Sequence, residues 1–396
     1  MTSRTVWIDS SAGGRYRFHE DHPFHPIRLA LTEELLRKCG TLDSSRMLPS
    51  LPSAEAEKTV RSLHRADYIE AVKALSAEHP NPSVVSRAAE YGLQADGDTP
   101  YFPGMHEAAV SVVAGSLAAA EAVMSGKADR ALHLAGGLHH AFPERGSGFC
   151  VYNDAAAAIT RIRDKYDARV LYVDTDVHHG DGVQWFFYTD PDVFTLSMHE
   201  TGKFLFPGSG FAHERGVSTG YGACLNLPME PYTEDDSWLE CFTAALEKAV
   251  EAFRPDVIVS QHGCDAHAFD PLAHMHCSMK IYLEMPRLIH EAANRYTGGK
   301  WIALGGGGYD HWRVVPRAWG LLWLEMNGDP LLRTIDESPS EALLPADWPS
   351  LTSEKRPALM PAAWLDDTSL WAPMPRRAEI TEKNRKMLEL ALQHLG

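Results

Sequence analysis

The chain of 396 residues is 44% hydrophobic and 23% charged, with a formal net charge of −16. Those proportions exclude a disordered or low-complexity chain, and the length allows one large α/β domain or two smaller ones. The acidic balance argues against a nucleic-acid partner, while leaving room for a locally acidic site that attracts cationic substrates.

No apolar run reads as long enough to span a bilayer, so no membrane association is expected. Residues 1–9 lack the apolar segment of a secretory signal, which points to the cytoplasm. The six cysteines (39, 150, 224, 241, 264 and 277) form no Cys-x-x-Cys pair, and reduced thiols are expected.

In chain order, residues 5–9 read as a first strand. His22-Pro23-Phe24-His25-Pro26 is a rigid loop leading into a helix over 28–39, and 54–79 reads as helical. Within 105–126, Val110, Val113, Leu117 and Met124 recur at helical spacing, the pattern of an amphipathic helix stopped by Gly126. Strands are expected at 131–134, 169–174, 192–197, 256–260 and 301–304, with helices at 153–165, 235–253 and 280–296 among them. A Thr233/Asp236 capping-box pair would open the helix at 235–253, whose Leu239, Phe242, Leu246 and Phe253 share one face. Such alternation predicts a mostly parallel sheet covered by helices on both faces. From 330 to 375 the chain has eight prolines and few periodic runs, which indicates loops wrapping over the domain before a last helix at 380–395. No linker marks a second domain: 1–330 is read as the catalytic region and 331–396 as a tail of the same domain.

The chemistry gathers after the strands. Leu171 to Gly182 begins as a buried strand and ends in metal-ligand residue types. Asp176 and His178 are two apart, so on extended backbone both point to one side. Asp174 precedes them in the same register and Asp181 follows a glycine turn. Alone, Asp-x-His is more often an ordinary strand entering an Asp/Gly turn. Other strand ends change that balance: Gly136-Gly137-Leu138-His139-His140, Met198-His199-Glu200, Gln261-His262-Gly263-Cys264-Asp265, and four glycines followed by Tyr309. In open α/β sheets the carboxyl ends of the strands form the ligand-binding edge. Asp176, His178 and Asp265 would give zinc three ligands and one open position. Such an ion polarises a carbonyl and lowers the pKa of its water to about 7. The same oxygen/nitrogen set also accepts Fe(II). His139 and His140 are the proton carriers to expect, with Asp174 and Asp181 orienting them. Tyr309 is placed to donate to an oxyanion.

Gly136 to His140, Ser147-Gly148-Phe149-Cys150-Val151-Tyr152-Asn153-Asp154, Val173 to Gly182, Phe206-Pro207-Gly208-Ser209-Gly210 and Leu304 to Tyr309 together resemble the histone deacetylase superfamily, above all its bacterial acetoin-utilisation deacetylase branch. The motifs fall in that family's order over residues 20–330. The resemblance implies a single-domain arginase–deacetylase fold and zinc-dependent hydrolysis of N-acetyl-lysine, on a protein or a small acylated amine, to lysine and acetate. It implies zinc at Asp176, His178 and Asp265, proton transfer by His140 with His139 as its electrostatic partner, and Tyr309 polarising the carbonyl. Asp174 and Asp181 would hold the first and second histidine. Phe149, Phe206 and Leu272, with Gly148 and Gly307, would bound the acyl-lysine tunnel. Asp98 would hold the substrate backbone at the rim, and Arg28 would serve an acetate channel. Potassium would sit among Asp174, Asp176, His178, Ser197 and Met198.

His267 departs from the pattern, repeating the Asp-x-His spacing after Asp265. A supporting loop role is expected there, with a further metal ligand as the alternative. The competing functions are an acetylpolyamine amidohydrolase, an acyl-ligand binding module with a dead site, and an arginase-like ureohydrolase. The complete catalytic set speaks against the dead site, and a missing second metal-binding carboxylate speaks against the ureohydrolase.

Overall fold

The structure, a computed structural model, describes residues 4–350, 357 and 359–395. Eight strands form one sheet: β1 (Thr5–Ile8), β2 (Met47–Leu48), β3 (Arg130–His133), β4 (Val170–Asp174), β5 (Val193–Glu200), β6 (Cys224–Met229), β7 (Val257–Gln261) and β8 (Trp301–Leu304). Their order is β2-β1-β3-β8-β7-β4-β5-β6, and every pairing is parallel.

Alternation along the strands explains why both faces are covered. Leu171 and Val173 of β4 join one buried cluster with the helices Asp235–Phe253, Met279–Tyr296 and Val315–Asn327. Val170 and Tyr172 join another with Met105–Met124 and Asp154–Tyr166. A strand buried on both sides must be apolar at successive positions, which is why these strands read as continuous runs. Two of the helices around the sheet, among others in the chain, start on side-chain caps: Asn153 accepts from the Ala156 amide, and Ser278 accepts from that of Lys280.

Several expectations are corrected. The stretch 54–79 is two helices, Ser53–Leu63 and Ala66–Leu75, because His64 is extended (φ −102°, ψ 147°) and buried, with Nδ1 2.9 Å from the Phe142 carbonyl. Met105–Met124 is not amphipathic. It is long and apolar enough to cross a membrane by composition, contrary to the sequence expectation, yet it is buried on nearly all sides as a core helix. The capping box does not form. Thr233 donates to the Glu230 carbonyl and Asp236 pairs with Lys280, leaving Asp235–Phe253 without a side-chain cap.

Strands β2 and β6 were not anticipated. β2 has only two residues, and β6 contains Pro228, which an edge strand tolerates because one side needs no N–H. The last helix, Arg377–Leu392, lies against that edge. Its Asn384 accepts from the Glu230 amide at 2.9 Å, an arrangement that shields unpaired strand groups.

Candidate active site

The chain runs from β3 to β4 across two intervening strands, β8 and β7. This is where the sheet reverses its order of winding, and the four central strands open a crevice at their carboxyl ends. The loops after all four carry the polar residues singled out above. They are also stitched together: the His262 amide donates to the Gly305 carbonyl (2.9 Å), Cys264 to Gly307 (3.0 Å) and Thr175 to Gln261 (3.1 Å).

Asp176, His178 and Asp265, all buried, each offer one ligand atom, and the three atoms lie within 4.8 Å of one another. Each carboxylate has one oxygen fixed from behind. Asp176 Oδ2 accepts from Gln261 Nε2 and from the Gly307 amide, both at 2.8 Å, and Asp265 Oδ1 accepts from the Val177 amide at 2.9 Å. Their other oxygens both stand 3.1 Å from His178 Nδ1. Burial and the neighbouring Asp176 push the Asp265 carboxyl up to about 6. Among the described residues no lysine or arginine forms an ion pair with either carboxylate. Two buried like charges with oxygen and nitrogen donors converging on one point suit a divalent cation, which turns their repulsion into attraction.

Beside them, His139 Nδ1 lies 2.8 Å from Asp174 Oδ2, and His140 Nδ1 lies 2.7 Å from Asp181 Oδ1. Burial opposes charge on His139, but Asp174 and Asp176 outweigh it and push the pKa up to about 9. Burial and the neighbouring His139 and His178 hold His140 well below its ordinary value. Their surroundings thus push the adjacent imidazoles in opposite directions. Burial and the carboxylates of Asp265 and Asp176 push the Tyr309 hydroxyl well above its ordinary value.

His140, His178 and Tyr309 share a pocket of about 270 Å³ with Asp98, Gly148, Phe149, Leu205, Phe206 and Leu272. The Phe206 ring meets His140 edge-on at 5.1 Å, and Phe149 meets Tyr309 at 5.7 Å. Phe149 holds a positive φ of 69°, a conformation costly for an aromatic residue. Thr99 Oγ1 accepting from its amide and Tyr16 donating to its carbonyl secure it. Asp98 accepts from the Gly148 amide at 3.0 Å and remains exposed.

Residues 22–326 match the histone deacetylase domain family. The chain belongs to that family. It is therefore a hydrolase of the deacetylase type. The acetoin utilization protein AcuC of Bacillus subtilis (strain 168) is 48% identical over 98% of this chain and 96% of its own length. AcuC of Staphylococcus aureus (strain MRSA252) is 43% identical over 97% of this chain and 95% of its own. A crystal structure of an HDAC homologue from Aquifex aeolicus matches with a TM-score of 0.81 at 27% identity, over 97% of this chain and 100% of that one. A crystal structure of an HDAC homologue complexed with SAHA matches with the same values. The eight-stranded parallel sheet is thus the arginase–deacetylase fold.

The remaining candidates of this family member fall as follows. Arg28 is buried, donates to the Gly308 carbonyl at 3.1 Å and lies over the Phe24 ring at 4.1 Å. Gly307 is not among the residues that line the pocket; its amide donates to Asp176 Oδ2 and its Cα packs against Asp265 Oδ2. Ser197 pairs in register with Asp174 across β4 and β5, and Met198 follows it. His267 lies outside the ligand group: its Nε2 is 2.9 Å from Asp366 and its Nδ1 accepts from the Phe269 amide.

Four supporting residues escaped sequence reasoning. Gln261 braces Asp176, and Tyr172 donates to Asp174 Oδ2 at 2.8 Å. Asp154 accepts from the Gly137 and Leu138 amides, and Asp270 accepts from the Tyr309 amide. Asp154 sat inside a quoted motif, and Asp270 five residues after a proposed ligand, but nothing local showed what either held.

Proposed function

We propose that this family member hydrolyses N-acyl-lysine side chains, acetyl-lysine foremost, with zinc held by Asp176, His178 and Asp265. The observation that carries the reading is the juxtaposition of that buried donor set with a histidine pair, each member paired with its own carboxylate, at one aromatic-walled pocket. Zinc there would supply a Lewis acid that polarises an amide carbonyl and acidifies water.

The chain's own residues do the rest. His140 keeps its Nδ1 proton on Asp181, so Nε2 is the atom that takes a proton from the attacking water and returns it to the departing amine. His139, charged and tied to Asp174, holds its neighbour neutral at working pH. The Tyr309 hydroxyl donates to the substrate oxygen as negative charge grows on it. Phe149 and Phe206 flank a neutral acyl-lysine stem and exclude water. Asp98 receives the substrate backbone at the exposed rim, Leu272 completes the wall, and Arg28 attracts the released acetate. A potassium ion among Asp174, Asp176, His178, Ser197 and Met198 belongs to the same reading.

The test is hydrolysis of acetyl-lysine peptides, longer acyl-lysine peptides and acetylspermidine in parallel, before chelation, after it, and after zinc is returned. Acetyl-lysine turnover that disappears with chelator and returns with zinc is expected. Turnover unaffected by metal removal would sink the mechanism, and a clear preference for acetylspermidine would replace the substrate.

A further inference from the structure

We infer that Asp366, in the C-terminal tail, is a positioning residue for the active site, acting through His267 on the segment 265–272; this rests on the hydrolytic reading above. That short segment makes three contributions to the site. It supplies Asp265 as a proposed ligand. Its Asp270 accepts from the backbone amides of Tyr309 (2.8 Å) and Leu272 (3.0 Å). Its Leu272 forms part of the pocket. A shift of this segment would displace a ligand, the oxyanion donor and a wall together.

The segment is held at both ends by Asp265 and Asp270, which accept from the Val177 and Tyr309 amides, and Arg313 lies over the Phe269 ring at 4.5 Å. The Ala268 amide donates to the Cys277 carbonyl at 2.8 Å, beside a single bridge between His267 and Cys277. A further side-chain tie comes from a residue 99 positions away. Asp366 Oδ2 stands 2.9 Å from His267 Nε2 and accepts from the Met279 amide at 2.8 Å, while Oδ1 accepts from Arg317 Nη2 at 2.9 Å. The Phe269 amide donates to His267 Nδ1, so the ring proton lies on Nε2 and faces Asp366. Asp366 is 7% exposed and Arg317 is fully buried. A carboxylate so placed neutralises the guanidinium and orients the imidazole at once. Trp371, also in the tail, backs the segment with its ring 5.9 Å from His267 and 5.5 Å from Phe269. Catalytic geometry must hold to a fraction of an ångström, and here part of that precision comes from the tail.

The test compares wild type with Asp366→Asn, His267→Asn and Leu392→Ala, the last a partly buried tail residue at the end of the final helix, beside Cys224 and Arg215 and not on this tie. Zinc affinity is read by chelator competition, kcat and KM on an acetyl-lysine peptide, and folding by thermal melt. Asp366→Asn and His267→Asn are expected to weaken zinc binding tenfold or more and to lower kcat tenfold or more, with KM within threefold. Leu392→Ala is expected to melt earlier while keeping zinc affinity within twofold. His267→Asn leaves the Arg317–Asp366 pair in place, so it decides the matter if Asp366→Asn does not fold. Wild-type zinc affinity and kcat in folded His267→Asn would overturn the inference. A wild-type chain that binds zinc without hydrolysing the peptide would overturn the proposed function alone, because the affinity comparison still reads the tie.

Discussion

A methyl group at position 307 would lie 2.2 Å from one oxygen of Asp265 and 2.8 Å from one of Asp176. No contact that short is tolerated, and the carboxylates cannot yield because their other oxygens are already held. Gly307→Ala is therefore expected to weaken zinc binding at least tenfold in a folded chain, measured by chelator competition; affinity within twofold of wild type would refute the crowding argument. Tyr309 makes a different prediction. Its amide is fixed by Asp270 and its ring by Phe149, so Tyr309→Phe removes one hydroxyl donor and little else. Losing one oxyanion donor costs about 10²–10³ in kcat, and that loss is expected with zinc content unchanged. An unimpaired kcat on an acetyl-lysine peptide would remove Tyr309 from the mechanism.

Asn153 couples a helix to the histidine loop. Its side-chain oxygen caps Asp154–Tyr166, while its Nδ2 donates to the carbonyls of His139 and Ala141, both at 3.1 Å. Asn153→Ala removes both functions and is expected to destabilise the fold by more than about 1 kcal/mol, the typical loss for a cap alone. Asn153→Asp keeps the cap and loses the donors, so it is expected to retain more stability than Asn153→Ala while still losing kcat. Equal melting temperatures for the two variants would refute this division of labour. Helix 153–165 was legible from its apolar spacing, because spacing is a local property. The break at His64 was not, because it exists to bring that imidazole onto Phe142, 78 residues away.

Across the molecule, His64, His133 and His262 are among the buried histidines that burial keeps neutral. Burial holds His64 at about 4, and His133 and His262 at about 3. Each lies below the unfolded value of about 6.5, so the unfolded chain takes up protons first as pH falls. Their stabilising contribution is complete above about pH 6.5 and is lost progressively as pH falls through the folded values. Urea midpoints of the zinc-free chain are expected to fall steadily from pH 7 to pH 4.5, and more gently in His133→Gln. A midpoint flat across that range would contradict the burial argument.

The α/β class, the parallel sheet and the gathering of His139, His140, Asp176, His178, Asp265 and Tyr309 at one edge were readable from residue order. Strand periodicity and glycine-punctuated motifs are written in neighbouring residues, and parallel topology puts every strand's carboxyl end on the same side. The supports of that site were not readable. Gln261 on Asp176, Asp154 under the histidine loop, Asp270 on Tyr309 and Asp366 on His267 are ordinary residue types. Each acquires its role only when folding brings it to a distant partner and removes the water that would otherwise take that partner's hydrogen bond.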